Sequence, residues 1–295
     1  MKNIVYVFFI IFYSFPVLSQ EKVFFFQTDW GFNGSIEEFI KKAKDSGYDG
    51  IETWAPSEDD KKLKLKSLLK KFDLKVIFLC GTNPSDSYKS SIENYKNYLN
   101  EALKQKPLAI NSHTGSDFYT FEQNLAFIET ANKLSEIHNI PIYHETHRAR
   151  FSYSLPETIK YLQKNKDWKL TLDISHWMVV HESILTNRKK LIESVLSRSH
   201  HIHARVGFEE GPQVNDPKAP EWKGVVDRHL ELWEAIIKTN LENGKIVTIT
   251  TEFGPPNYMP TEPHTQLPMS DQWESNLYMM KLIKDRINNS GLYDK

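Results

Sequence analysis

The sequence predicts a single (β/α)8 barrel, and three observations point to it. Short apolar runs of strand length alternate eight times with segments of helical period, over about 270 residues, which is the size and rhythm of that fold. The first run is continuously apolar, as strands covered on both faces require. The later runs end in polar clusters, and only a closed barrel brings all of those ends to one face. A doubly wound sheet is the alternative, but no Gly-rich phosphate turn follows the first run.

Taken in order, Lys22 to Gln27 is a buried strand stopped by Thr28-Asp-Trp-Gly31. Ser35-Ile-Glu-Glu38 has the spacing of a capping box, and Ile36, Phe39, Ile40 and Ala43 share one helical face before Gly47. Tyr48 to Trp54 is the second strand and carries Glu52; Leu63, Leu65, Leu68, Leu69 and Phe72 mark its helix. Leu74 to Cys80 is the third, with Ile92, Tyr95, Leu99 and Leu103 after it. Leu108 to Ser112 is the fourth, ending in His113-Thr-Gly115, and Thr120-Phe-Glu-Gln123 caps the helix that follows.

The fifth run, Ile140 to Tyr143, delivers His144, Glu145, His147 and Arg148 where it stops, and Ser154-Leu-Pro-Glu157 has capping spacing for the next helix. Leu170 to Asp173 is the sixth strand, with a helix bearing Leu191, Ile192, Val195 and Leu196. His200 to Val206 is the seventh, and its helix bears Leu230, Trp233 and Ile237. Lys245 to Thr251 is the eighth, leading to Glu252-Phe-Gly254; Trp273, Leu277 and Met280 mark the closing helix. Two long loops, 207–223 and 254–269, read as walls of a substrate pocket.

Residues 1–19 read as a signal peptide: Lys2, the apolar run Ile4 to Phe15, Pro16, and small residues at Val17 and Ser19. Cleavage is expected after Ser19, leaving 20–295 as one barrel domain in the periplasm or outside the cell, with no membrane association afterwards. The 295 residues, 40% of them hydrophobic, suffice for one large core. Thirty-seven basic against thirty-eight acidic side chains give a net charge of −1, so no basic field recruits nucleic acid. Cys80 is the only cysteine, which leaves no disulfide within the chain, and it reads as a buried strand-end thiol. A monomer or homodimer is expected.

Glu145, Asp173, His203 and Glu252 end four successive strands. Three carboxylates and one imidazole make a mainly oxygen site suited to one divalent cation, Mn2+, Mg2+, Co2+ or Zn2+. His176, three residues past Asp173, is placed to reach substrate or a second metal, and His113 and His147 are candidate substrate contacts. Arg148 and Arg205 would either bind an anionic or hydroxyl-rich substrate or pair with the ligating carboxylates. Trp54 and Trp177 follow strand ends and could stack on sugar rings. His144 and His201 are expected to face away from the barrel interior.

His-Glu145-Thr-His-Arg, Asp173-x-x-His176, His-Ile-His203-Ala-Arg and Thr-Thr-Glu252-Phe-Gly together resemble the sugar phosphate isomerase/epimerase family of the xylose-isomerase-like barrels. That resemblance covers the whole mature chain and implies Glu145, Asp173, His203 and Glu252 as metal ligands. It also implies His176 and an arginine on the substrate, with Glu145 and Glu252 as the catalytic pair that moves a proton beside a carbonyl through a metal-stabilised enediolate. The superfamily's endonuclease IV type is a second reading. Against it, Cys80-Gly-Thr82 stands where that type has a histidine, and Asp227-x-His229, echoing its aspartate-x-histidine element, falls at a helix start. The expected activity is therefore an exported isomerase or epimerase on a small carbohydrate. A β-eliminating lyase on 3-keto-glycosides is the alternative on the same site, and a metal phosphodiesterase or a catalytically dead carbohydrate-binding barrel stands further off.

Overall fold

The computed structural model describes residues 23–83, 86–166 and 168–292. The expected signal peptide lies outside them. Eight parallel strands close into a barrel in sequence order: β1 (Val23–Thr28), β2 (Gly50–Trp54), β3 (Lys75–Gly81), β4 (Ala109–His113), β5 (Ile142–Glu145), β6 (Lys169–Leu172), β7 (Ser199–His203) and β8 (Val247–Thr251). Pairing of Val23 with Val247 through Gln27 with Thr251 closes the ring.

The helices are α1 (Ile36–Asp45), α2 (Asp59–Phe72), α3 (Tyr88–Lys104), α4 (Phe121–His138), α5 (Leu155–Lys164), α6 (Ile174–Val180), α7 (Lys189–Leu196), α8 (Lys223–Glu242) and α9 (Gln272–Asn289). Capping boxes form at Ser35/Glu38 and Thr120/Gln123, as the spacing predicts. At Ser154 the box does not form. There a proline in the first turn needs no N–H partner, and the Leu155 N–H donates to His181 Nε2 instead. The short α6, directly after β6, was not expected: seven residues carry too little periodicity to read, and Asp173 itself caps it through the Ser175 N–H.

The main core lies between strands and helices and contains Phe25, Ile51, Phe78, Cys80, Ile110, Leu170, Ile202 and Ile249. Inside the barrel, Phe26, Ile77, Ala109 and Tyr143 plug the lower half as a separate apolar cluster. Stepping up each strand by two keeps the inward face. Above the plug that face becomes polar, with Glu52, Asn111, His201 and Thr250. One step higher come the residues of the site. Apolar packing thus fills the floor, and the upper barrel is left for chemistry.

The two long loops meet over the strand ends. Gln213 exchanges hydrogen bonds with Gly254, accepting from its N–H (2.7 Å) and donating to its carbonyl (3.2 Å), and Ser270 Oγ donates to the Asn215 carbonyl. Gly254 is required by close approach: a Cβ there would stand 2.3 Å from the Trp30 ring. No helix among the described residues is long and apolar enough to cross a membrane.

Candidate metal centre and active site

Glu145 ends β5, Asp173 follows β6, His203 ends β7 and Glu252 follows β8, so four neighbouring strand ends deliver their side chains to one point. All four are buried, and one ligand atom from each lies within 4.8 Å of all the others. His203 Nδ1 is 2.8 Å from Glu252 Oε2 and 3.6 Å from Glu145 Oε1. Neither His203 Nδ1 nor Glu252 Oε2 has a hydrogen-bond partner, although both are buried. Three carboxylates and an imidazole buried this close together, with two of their atoms left without a hydrogen-bond partner, fit a divalent cation, which would displace any proton from Nδ1. Three oxygens and one nitrogen are compatible with any of the four metals the sequence suggests.

Behind His203 stands a residue to which sequence reasoning assigned no role. Glu52, fully enclosed in the barrel, receives hydrogen bonds from Asn111 Nδ2 (3.0 Å), His201 Nε2 (3.1 Å), His203 Nε2 (3.1 Å) and the Thr250 hydroxyl. Burial works against its charge, but His203 and His201 beside it hold the carboxyl well below the ordinary range. Because Glu52 can only accept, the Nε2 of His203 carries the proton and Nδ1 is the nitrogen turned to the carboxylate cluster. Asn111 Nδ2 also donates to Glu145 Oε2 (2.8 Å) and so spans the two acids.

His201 does not face away from the interior as expected. Residues i and i+2 of a strand share a face, so His201 lies on the same side as His203 and joins Glu52. His144 does face outward: its Nδ1 meets the Thr114 hydroxyl at 2.7 Å, between Phe151 and Trp168.

Around the cluster, His113 Nε2 lies 2.7 Å from Glu145 Oε2, and its ring stacks on His147 at 5.1 Å. His147 donates from Nδ1 to the Arg148 carbonyl and lies 3.9 Å from the His176 ring. Burial, with the charge of His113, pushes the His147 pKa down to about 3, so the ring is neutral at pH 7. His176 is fully buried on α6 and accepts at Nε2 from Arg205 (2.8 Å). Its proton is therefore on Nδ1, which has no partner. Trp54 is 51% exposed, edge-on to His113 at the rim. Trp177, expected at the substrate, is instead fully buried: its indole N–H donates to the Ser152 carbonyl (2.8 Å) and pins the loop after β5 from beneath.

The two arginines part company. Arg205 is buried and committed: it donates to Asp173 Oδ2, His176 Nε2 and Ser175 Oγ, and it lies 3.6 Å from Glu252 Oε2. Arg148 is half-buried and makes no side-chain hydrogen bond or ion pair among the described residues. Both pack against Tyr258 from the loop after β8, at 5.1 Å for Arg148 and 4.6 Å for Arg205. Burial pushes Asp173 up to about 6, against the pull of Arg205 and with the repulsion of Glu252 and Glu145. Glu145 goes the other way: despite burial, His113 and His203 hold it well below the ordinary range.

Asp227 and His229 fall within α8. His229 donates from Nδ1 to the Val225 carbonyl and accepts at Nε2 from the Gly207 N–H. Both of its nitrogens are thus occupied by backbone, and neither is offered to a metal.

Comparison with known proteins agrees with this geometry at the level of fold. No curated sequence relative matches the chain. Among solved structures, the 3-keto-D-glucoside 4-epimerase of E. coli superposes with a TM-score of 0.61 at 11% identity, covering 90% of this chain and 100% of that one. The probable 3-DHS dehydratase of Bacillus anthracis gives 0.57 at 15% identity, covering 88% and 98%. A xylose isomerase-like barrel protein of Mycobacterium smegmatis, in complex with magnesium, gives 0.56 at 15% identity, covering 90% and 97%. The family model described as xylose isomerase-like TIM barrel matches residues 40–241, a span that includes Glu145, Asp173 and His203. The chain belongs to the xylose isomerase-like TIM barrel family.

Proposed function

We propose that this chain is a divalent-metal-dependent isomerase or epimerase that moves a proton at the carbon beside a carbonyl of a small carbohydrate, with Glu145 and Glu252 as the groups that take and return it. The observation that carries this reading is the approach of two glutamates, from strands three apart around the barrel, to the same nitrogen, His203 Nδ1. A divalent cation held by Glu145, Asp173, His203 and Glu252 would supply Lewis-acid polarisation of the carbonyl. Glu145 is held ionised by its histidine neighbours and suits the base. The unpartnered Nδ1–H of His176 is a donor for a substrate oxygen, and Trp54 at the rim offers a ring face to a sugar. Burial of the cluster keeps bulk water from the transferred proton.

Elimination is a second reading on the same residues. It begins with the same proton removal and follows where the next carbon bears a leaving group; the dehydratase among the structural neighbours supports it. Export also belongs to the proposal, supported by Lys2, the apolar run Ile4 to Phe15, and Ser19. Mature protein recovered from cells should then begin at Gln20.

The test is deuterium uptake from D2O by free and 3-keto sugars, catalysed by protein loaded in turn with Mn2+, Mg2+, Co2+ or Zn2+. Uptake into recovered sugar supports isomerisation or epimerisation, and an enone absorbing in the ultraviolet supports elimination. Uptake that survives both Glu145→Gln and Glu252→Gln at undiminished rate would sink the mechanism.

A further inference from the structure

A cavity of about 300 Å³ opens on the flank of the barrel, between α1 and the first turn of α9, and none of its walls belongs to the carboxylate cluster. Gln27 of β1 lines it with only 2% of its surface exposed. The Oε1 of Gln27 accepts from the Thr251 hydroxyl at 2.9 Å, and that hydroxyl also meets the Tyr48 hydroxyl. Neither Thr251 nor Tyr48 borders the cavity, so the free end of the carboxamide is the one turned toward it. Its Nε2 donates to nothing among the described residues.

The other walls are Trp30 and Asn33 from the loop after β1, Lys42 from α1, and Asp271 and Trp273 from α9. That loop is locked to α9, because Gln272 Nε2 donates to the Trp30 carbonyl at 2.7 Å. Gly31 permits the approach with its φ of +82°; a Cβ there would stand 2.6 Å from Gln272 Oε1. Trp273 packs on Phe39 and Tyr48 at 6.2 and 6.4 Å, with Lys42 Nζ 4.0 Å from its ring centroid. Asp271 caps α9 with one oxygen, on the Glu274 N–H at 2.8 Å, which leaves the other free. Asn33, at the exposed rim, makes no side-chain hydrogen bond among the described residues.

The walls of this cavity therefore offer donors at Gln27 and Lys42, an acceptor at Asp271, and indole surface at Trp30 and Trp273. A phosphate only accepts, and it would meet the Asp271 carboxylate with repulsion. A hydrocarbon would leave the Gln27 amide without a partner. A hydroxyl both donates and accepts, and a pyranose carries several around a ring whose C–H face packs on an indole. We infer that the flank cavity is a second binding site, separate from the metal centre, for a neutral hexose, free or as the end unit of a longer chain. Binding there needs neither the cation nor the proton transfer proposed above.

The test resolves the two sites. Protein labelled with 5-fluorotryptophan is titrated with D-glucose, D-galactose, D-mannose and N-acetyl-D-glucosamine and followed by fluorine NMR. Single Trp→Phe variants assign the resonances of the seven tryptophans. Trp273 reports on the flank cavity and Trp54 on the mouth of the barrel, whereas Trp30, edge-on to Tyr258 at 5.0 Å, responds to both. At least one sugar should shift Trp273 saturably, with a Kd on the order of millimolar, and equally with and without chelator. Gln27→Met keeps the bulk and removes the amide, and should weaken this binding about tenfold. Asn33→Ala, on the exposed rim, should weaken it about threefold, and it decides the matter if Gln27→Met does not fold. A Trp273 resonance that none of the sugars moves overturns the inference. A shift that chelator abolishes also overturns it, because it would then originate at the metal centre. So does binding that is undiminished in every variant that folds, since the sugar would then sit elsewhere.

Discussion

Glu52 Oε1 lies 3.1 Å from Nε2 of His203, while Nδ1 of the same ring faces Glu252 Oε2 at 2.8 Å. The imidazole is thus a bridge between an enclosed carboxylate and the carboxylate cluster. The acid behind it engages Nε2 and so fixes Nδ1 as the nitrogen offered to the cluster. Because Glu52 also receives bonds from Asn111, His201 and Thr250, it holds the ring in place from several directions. Glu52→Gln should therefore weaken Mn2+ binding by about ten- to a hundredfold, the range for groups that orient a metal ligand. Titration followed by electron paramagnetic resonance measures this, with circular dichroism to show that the barrel is intact. Unchanged affinity would mean that the bridge is structural only.

Glu145 and Glu252 approach His203 Nδ1 from separate strands, so each should be needed for its own half of a proton transfer. Glu145→Gln or Glu252→Gln is expected to lower deuterium uptake by roughly 10²–10⁴-fold. An epimerase starting from the two epimers should show opposite sensitivities, each variant slowing first-step uptake mainly from the epimer whose proton that glutamate removes. Equal slowing from both epimers would point to loss of the metal ligand alone.

Most of the barrel could be read from the sequence because both of its determinants are local. Continuous apolar runs such as Val23 to Phe26 specify buried strands, and two of the three capping boxes formed where spacing placed them. The four strand-end groups could be read for the same reason: a polar residue just past an apolar run has one place to go. Glu52 was visible but mute. Its meaning comes from Asn111, His201, His203 and Thr250, which lie on three other strands, and closure of the barrel alone brings them together. The fates of Arg148 and Arg205 were equally hidden, since two arginines just past strand ends look alike until one of them meets Asp173.

Arg205 pairs in the core of the site with Asp173 and approaches Glu252, two groups also placed to hold a cation. Arg205→Met leaves those carboxylates uncompensated, and breaking a buried pair from one side costs about 3–5 kcal/mol. Chelator-treated protein should lose that much in urea unfolding. Mn2+ stabilises each protein by an amount that grows with its own affinity, so at one fixed Mn2+ concentration the variant, whose carboxylates no longer serve the arginine, should gain more than the wild type and the deficit should shrink. An identical loss with and without metal would show that the arginine and the cation do not share these carboxylates.

His229 ties the start of the loop after β7 to α8 and does so only as a neutral ring, because its Nε2 accepts from the Gly207 N–H. Burial pushes its pKa down to about 4 from the ordinary 6.5. A base with a depressed folded-state pKa contributes stability that is fully present above its unfolded value and is lost as pH falls through the folded one. The window here runs from about pH 6.5 down to about pH 4, and the loss is on the order of 3 kcal/mol. His229→Gln keeps a donor and an acceptor but cannot take up a proton. At pH 7 it should be somewhat less stable than the wild type, for lack of the ring's packing against Trp233. Between pH 6.5 and 4 its stability should fall more gently, so the two unfolding curves converge. Parallel loss of stability in both proteins across that window would assign the acid sensitivity to other groups.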